Sequence, residues 1–180
     1  MKSYSQYEEQ TAILAAFEGW PAQAQRHFLD IGAWNAKDKS NTRALYELGF
    51  NGVMIEPSPG PLLSLLAEYG NEPRITLISA AVALEPGLLP LHITDDAVST
   101  SSEAVYDTWR NAVPPVKYVG NLSVPVLTLE QISNQFGGFD FINFDAEGLS
   151  ADLFNRAMDL KWEPRCICVE HGTCLSTKIF

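Results

Sequence analysis

His27-Phe28-Leu29-Asp30-Ile31-Gly32-Ala33-Trp34 is a short apolar run that gives way to a glycine, and Gly52-Val53-Met54-Ile55-Glu56-Pro57 is a second run that ends in an acid. Both read as buried β-strands. Glycine has no Cβ, so the turn at Gly32-Ala33 can be tight and can bring the backbone close to a ligand. Glu56 places a carboxylate at the same sheet edge, where it can accept hydrogen bonds from ribose hydroxyls. Open α/β sheets bind ligands at the carboxyl ends of their strands, where the strand order reverses. The pair of strands therefore predicts a nucleoside-bearing cofactor.

The turn itself narrows the choice. A dinucleotide fold needs G-x-G-x-x-G here, so that a pyrophosphate can rest on a helix N-terminus. This turn reads Gly32-Ala33-Trp34-Asn35-Ala36-Lys37, with a single glycine. NAD and FAD are disfavoured, and a cofactor without phosphates, S-adenosylmethionine, fits better. The plainer alternative is a glycine-ended core strand beside an acid-ended one with no ligand.

Composition agrees with one α/β domain. The chain has 180 residues, 46% hydrophobic and 19% charged. That domain is read as an N-terminal helical segment (1–26), a core (27–171) and a tail (172–180). No apolar stretch approaches the ~20 residues of a membrane span. The start, MKSYSQYEEQ, is too polar for a signal peptide. These features predict a cytoplasmic protein. The net charge is −10 and no Lys/Arg cluster is present, so nucleic acid is not an expected partner. Cys166, Cys168, His171 and Cys174 have zinc-ligand chemistry, but the two cysteines share an apolar strand rather than separate knuckles. No metal is expected, and three cysteines in a reducing compartment predict no disulfide.

Strands and helices alternate along the chain. Tyr7–Trp20 has helical spacing at Ile13, Leu14 and Phe17. Ser40-Asn41-Thr42 opens a helix with Ala44, Leu45 and Leu48 inward. Pro57-Ser58-Pro59-Gly60-Pro61 breaks the second strand before a helix at Leu62–Tyr69. Ile75–Ala83 reads as a third buried strand. Leu89–Thr94 is half-exposed, with Val116–Val119 as its pairing candidate. Thr100-x-x-Glu103 looks like a capping box for a helix bearing Val105 and Trp109, and Thr128-x-x-Gln131 caps another. Val124–Leu127 is a short strand. Phe139–Phe144 is a core strand ending in Asp145-Ala146-Glu147-Gly148, with a helix from Leu149 to Leu160 after it. Cys166–Val169 leads into Glu170-His171. Alternating β and α predicts a mostly parallel open sheet flanked by helices.

These residues resemble the FkbM-type S-adenosylmethionine-dependent methyltransferase family over almost the whole chain. The resemblance is carried by Ser5-Gln6 with Glu9, Phe28–Ala33, Ser40-Asn41-Thr42 and Ile55-Glu56-Pro57. It continues at Ala80-Ala81-Val82, Asp140-Phe141-Ile142, Asp145-x-Glu147-Gly148 and Val169-Glu170-His171. The family implies a Rossmann-like methyltransferase fold and O-methylation of a hydroxyl on a sugar or related small molecule. It implies cofactor contacts at Asp30, Gly32, Ala33, Asn35, Ser40, Asn41, Glu56, Pro57, Ala80 and Asp145. Asp145 and Glu147 would stand near the sulfonium and the acceptor. The chain departs from the family at Ala36, where a second turn glycine is usual, and at Glu8 and Gln10. The family fold also adds a helix and two strands beyond the fifth, so a C-terminally shortened version is expected here.

Methyl transfer to oxygen needs a base, and a carboxylate near an alcohol can take its proton. The catalytic candidates are Asp145, Glu147 and His171; Glu147 has a rival reading as a helix N-cap. Ser99-Thr100-Ser101-Ser102 reads as cap and loop rather than acceptor site, and Lys37 and Lys39 as a solvated loop edge. Two other functions stay open: a binding domain that has lost catalysis, and an NAD(P)-using enzyme. A parallel sheet ending at the fifth strand exposes Ile167 and Val169 at an edge. A second copy of the chain, or the tail folding back, is expected to cover it.

Overall fold

A computed structural model describes residues 2–21, 24–112, 116–171 and 176–179, the backbone alone for 171 and 176–179. Its main sheet has six strands in the order β3-β2-β1-β7-β8-β9. They are β1 (His27–Ile31), β2 (Asn51–Ile55), β3 (Ile75–Ile78), β7 (Phe141–Phe144), β8 (Cys166–His171) and β9 (Ser176–Ile179). The first five in spatial order run parallel, and β9 is antiparallel to β8. The chain builds outward from β1 through β2 to β3, then crosses to the other side for β7 and β8. The strand order therefore reverses between β1 and β7, where a ligand crevice is expected.

The period-2 alternation of the strands sorts their side chains onto two faces. One face buries Leu29, Ile31, Ile142, Phe144, Ile167 and Val169 against α5 (Leu129–Phe136) and α6 (Ser150–Asp159). The other buries Phe28, Met54, Phe141, Cys166 and Cys168 against α1 (Glu9–Ala16), α2 (Arg43–Glu47) and α3 (Pro59–Tyr69). In register, Asp30 stands beside Asn143, and Asn143 beside Cys168. The polar site residues thus continue the second face beyond its apolar core.

A second sheet of three strands, in the order β4-β6-β5, consists of β4 (Ala81–Val82), β5 (Gly87–Thr94) and β6 (Tyr118–Leu127). The short helix α4 (Glu103–Arg110) lies between β5 and β6 in sequence. The architecture is the α/β, Rossmann-like one read from the sequence: five parallel strands flanked by helices.

Several local expectations need correction. Ile75–Ala83 is two strands, because the chain leaves the main sheet after Ile78 and resumes as β4 in the second sheet. Val116–Val119 and Val124–Leu127 are not two strands: one ten-residue strand, β6, pairs with β5 along its length. Leu48 is 40% exposed, since α2 ends at Glu47 and Phe50, 2% exposed, takes the core position. The break at 57–61 is shorter than expected because Pro59 sits in the first turn of α3, where its fixed φ suits a helix. The cap of α4 is Ser102, whose side chain accepts from the Val105 N–H, rather than Thr100. The capping box at Thr128 and Gln131 is formed as read. The sheet edge beyond β8 is occupied by the tail: β9 pairs with it from Cys168↔Ile179 to His171↔Ser176.

Candidate functional site

The turn after β1 is held from both sides. The Gly32 and Ala33 N–H groups donate to the Ile55 carbonyl (2.9 and 3.3 Å), and the Asp145 N–H donates to the Ile31 carbonyl (3.0 Å). Gly32 has φ +79°, and a Cβ there would lie 1.9 Å from the Asp145 carbonyl oxygen. The glycine is therefore required by the neighbouring loop after β7, not only by a ligand. This adds a packing role to the expected place of Gly32 beside a cofactor.

Above these turns lies a cavity of about 300 Å³. Its walls are the carboxyl ends of β1, β2, β7 and β8, the segment 96–101, Trp109 of α4, and Gln6, Tyr7 and Glu9 at the N-terminus. Of the residues expected at a cofactor, Asp30, Gly32, Ala33, Ser40, Asn41, Glu56, Pro57, Ala80 and Asp145 all line it. Asn35 does not line it. Its Oδ1 accepts from the N–H groups of Lys37 and Asp38 (both 2.9 Å), which folds the loop as an Asx turn.

Glu56 is 5% exposed. Its Oε1 accepts from the Ser58 N–H (2.7 Å) and its Oε2 from the Trp34 N–H (3.0 Å). Burial pushes its pKa up, while those backbone donors pull it back. The Ser58 side chain bonds to this carboxylate as well, and a carboxylate with about four acceptor directions keeps capacity for a ligand hydroxyl beside these donors. The donors also fix its orientation before any ligand arrives.

Asp30 is buried and accepts from Thr42 Oγ1 (2.5 Å) and Asn143 Nδ2 (2.9 Å). Burial raises its pKa. Its partners make it the anchor that ties the loop before α2 to β7, with Asn41 Nδ2 donating onward to Asn143 Oδ1 (3.1 Å). Ser40 Oγ accepts from the Arg43 N–H (3.1 Å) and so organises the first turn of α2. Sequence reading did not single out Asn143, although its alternation with Phe141 puts it on the site face.

Three carboxyl groups meet at the ends of β7 and β8. One oxygen each from Asp145, Glu147 and Glu170 lies within 4.8 Å of the others. Asp145 presents surface to the cavity, yet protein atoms crowd its carboxyl. Burial first, then the charges of Glu170, Glu147 and Asp30, push its pKa well up. Burial also raises Glu170, although hydrogen bonds from Ser150 and Asp145 oppose the rise. Ionisation of this pair is thus opposed by burial at both carboxyls and, at Asp145, by the neighbouring acids as well. Glu147 is pushed up to about 8 by burial and by Glu170. Such a trio can share protons, or can offer one oxygen each to a divalent cation. Glu147 is not the N-cap of α6; that position is Leu149, without a side-chain cap bond.

Glu170 belongs to the Val169-Glu170-His171 motif, but the catalytic candidates read from the sequence include His171 and not Glu170. Alternation along Cys166, Cys168 and Glu170 is the signal that would have found it. The side chain of His171 lies outside the described residues, as do those of Cys174 and the tail. The Cys166 thiol is pushed up to about 11 by burial, and Cys168 is raised further by burial and nearby acids, so both are neutral thiols.

The hydroxyls of Ser99 and Thr100 are engaged. Ser99 Oγ accepts from the Thr94 N–H (3.1 Å), and Thr100 Oγ1 donates to the Glu147 carbonyl (3.1 Å). That last bond ties the segment 96–101 to the acidic loop. The buried indole N–H of Trp109 has no hydrogen-bond partner among the described residues. Lys37 pairs with Glu68 (2.6 Å), and the Lys39 ammonium sits 5.1 Å from the Trp34 ring centroid.

No curated protein and no solved structure matches the chain. Residues 30–173 match the methyltransferase FkbM domain, a segment that runs from Asp30 through every strand of the parallel sheet beyond β1 and includes the carboxyl trio. The chain belongs to the family defined by that domain.

Proposed function

We propose that the protein is an S-adenosylmethionine-dependent O-methyltransferase acting on a hydroxyl of a sugar or another small molecule. The observation that carries this reading is the pairing, in one cavity, of the Glu56 clamp with the trio Asp145, Glu147 and Glu170 across the β1/β7 switch point. When bound, S-adenosylmethionine supplies an electrophilic methyl group on a cationic sulfur. Glu56 would orient the ribose, and Asp145 would face the sulfonium and the acceptor. Holding a hydroxyl in line with the methyl group is worth ~7–11 kcal/mol, so positioning carries most of the rate.

The proton of the acceptor hydroxyl has to leave as the new bond forms. Asp145 and Glu147 have raised pKa values, and so are stronger bases once ionised. A cation placed beside the trio favours that ionisation.

The test is a screen of hydroxyl acceptors with methyl-labelled S-adenosylmethionine. Label is expected on oxygen, and Asp145→Asn is expected to lower turnover by ~10²–10⁴-fold with little change in S-adenosylhomocysteine affinity. Loss of cofactor affinity in place of rate would move Asp145 to the cofactor site. A wild type that labels no acceptor would put the binding-domain reading ahead.

A further inference from the structure

Part of the cavity wall comes from the second sheet and from the segment between β5 and β6. Leu89 and Leu91 alternate along β5 and so face the same way, and both line the cavity together with Val98. Trp109 joins them from α4. The residue is half-buried and its indole N–H is buried, so it meets the cavity with carbon surface and not with a donor. Three polar side chains of the segment 96–101 already have partners within the protein. Asp96 Oδ1 accepts from the Ala97 N–H (2.7 Å), Ser99 Oγ accepts from the Thr94 N–H, and Thr100 Oγ1 donates to the Glu147 carbonyl. Apolar surface with few free polar groups is the lining that a pocket uses for the body of a small ligand.

This wall stands beside the acidic loop. The Thr100–Glu147 bond ties the two together, and a Cβ added at Gly148 would meet Ser102 and Val105 at 3.5 Å. Val105 and Trp109 are four residues apart on α4 and share a face. That face runs from Gly148 into the cavity. The helix is held to the second sheet by Tyr106, which stacks on His92 of β5 with ring centroids 4.3 Å apart. His92 Nε2 also lies 3.1 Å from Glu103 Oε1. The helix therefore brings Trp109 to the end of the cavity that holds Glu147, whereas Glu56 occupies the β2 end.

Charge narrows what this end can take. Asp145, Glu147 and Glu170 gather within 4.8 Å of one another, and Asp96 lines the same cavity. Among the described lining residues the one Lys or Arg is Lys39, which sits over Trp34 in the loop after β1. A phosphate or carboxylate beside the trio would meet like charge with no cation to offset it.

We infer that Trp109, with Leu89, Leu91 and Val98, forms the acceptor subsite, and that it takes an uncharged acceptor carrying its hydroxyl on, or beside, an apolar ring. The apolar ring lies against the indole, and the hydroxyl points to Asp145 and Glu147. The inference rests on the methyl-transfer reading and adds the residue that sets the choice of acceptor.

The test is calorimetric titration of the protein loaded with S-adenosylhomocysteine, using phenyl β-glucoside, glucose and glucose 6-phosphate as probes. The three share a hexose, to which the first adds an apolar ring and the last a phosphate. Phenyl β-glucoside is expected to bind most tightly and glucose 6-phosphate least. Trp109→Ala is expected to weaken phenyl β-glucoside by roughly 10- to 100-fold, the range for losing the burial of a large apolar group, and to leave S-adenosylhomocysteine affinity unchanged. Trp109→Phe keeps an apolar ring and lacks the N–H, and is expected to bind close to wild type. Should Trp109→Ala not fold, Val98→Asn decides in its place, with the same loss expected for phenyl β-glucoside and none for S-adenosylhomocysteine. Equal affinity for the three probes, wild-type phenyl β-glucoside affinity in Trp109→Ala, or a loss in Trp109→Phe as large as in Trp109→Ala overturns the subsite and leaves the cofactor reading in place. A loaded wild type that binds none of the probes does the same. A wild type that does not bind S-adenosylhomocysteine overturns both.

Discussion

At Glu147 burial and the Glu170 carboxylate act together against ionisation, and the pKa rises from 4.5 to about 8. If Glu147 takes the acceptor's proton, kcat/KM climbs with pH through a limb near 8, and Glu147→Gln abolishes that limb. The same shift has a consequence for stability. The folded state holds this proton more tightly than the unfolded state, whose pKa is near the ordinary 4.5. Between pH 4.5 and about 8 the unfolded chain therefore binds fewer protons, and this group's contribution to stability falls as pH rises. Glu147→Gln removes that penalty. Its Tm should match wild type below pH 4.5 and exceed it by a margin that grows until about pH 8. A Tm difference that is flat across this range would show that Glu147 ionises as freely in the folded protein as outside it.

The elements after β1 and β7 are locked to each other through Gly32. With φ +79° and a would-be Cβ 1.9 Å from the Asp145 carbonyl oxygen, Gly32→Ala meets both a strained backbone and a clash with main chain. The left-handed conformation alone costs ~1–2 kcal/mol, and the clash adds to it. Urea unfolding should show a lower midpoint at unchanged slope; a Gly32→Ala protein as stable as wild type would show that this approach is slack. That these strands end in turns was legible, because β1, β2 and β7 are apolar runs closed by Gly32, Glu56 and Asp145. Which residue each turn touches was not. The contact of Gly32 with Asp145 follows from the β1–β7 register, and sequence alternation gives faces only once a register is known. The same gap explains Glu170 and His171: adjacent residues on β8, of which alternation with Cys168 places Glu170 toward the site face. The division of Ile75–Ala83 between two sheets was hidden for another reason. Both halves are apolar, and no turn residue other than Ser79 marks the crossing.

At the scale of the whole molecule, the strand order β3-β2-β1-β7-β8 creates the crevice, and the second sheet brings the segment 96–101 and Trp109 over it. Among the described residues no helix is long and apolar enough to cross a membrane. The charge of the cavity follows from this topology, since four strand ends and α1 each deliver an acid: Asp30, Glu56, Asp145, Glu170 and Glu9. Such a cavity suits a cationic cofactor and disfavours a pyrophosphate, in line with the single-glycine turn after β1. The proposed function requires this crevice to bind S-adenosylmethionine through Glu56. Its most direct test is calorimetric titration of the wild type and Glu56→Ala with S-adenosylhomocysteine, with NAD as the control. One site per chain is expected for S-adenosylhomocysteine, with an affinity weakened by ~1.5–3 kcal/mol in Glu56→Ala and no heat with NAD. Binding of NAD, or a folded Glu56→Ala protein with wild-type S-adenosylhomocysteine affinity, would contradict it.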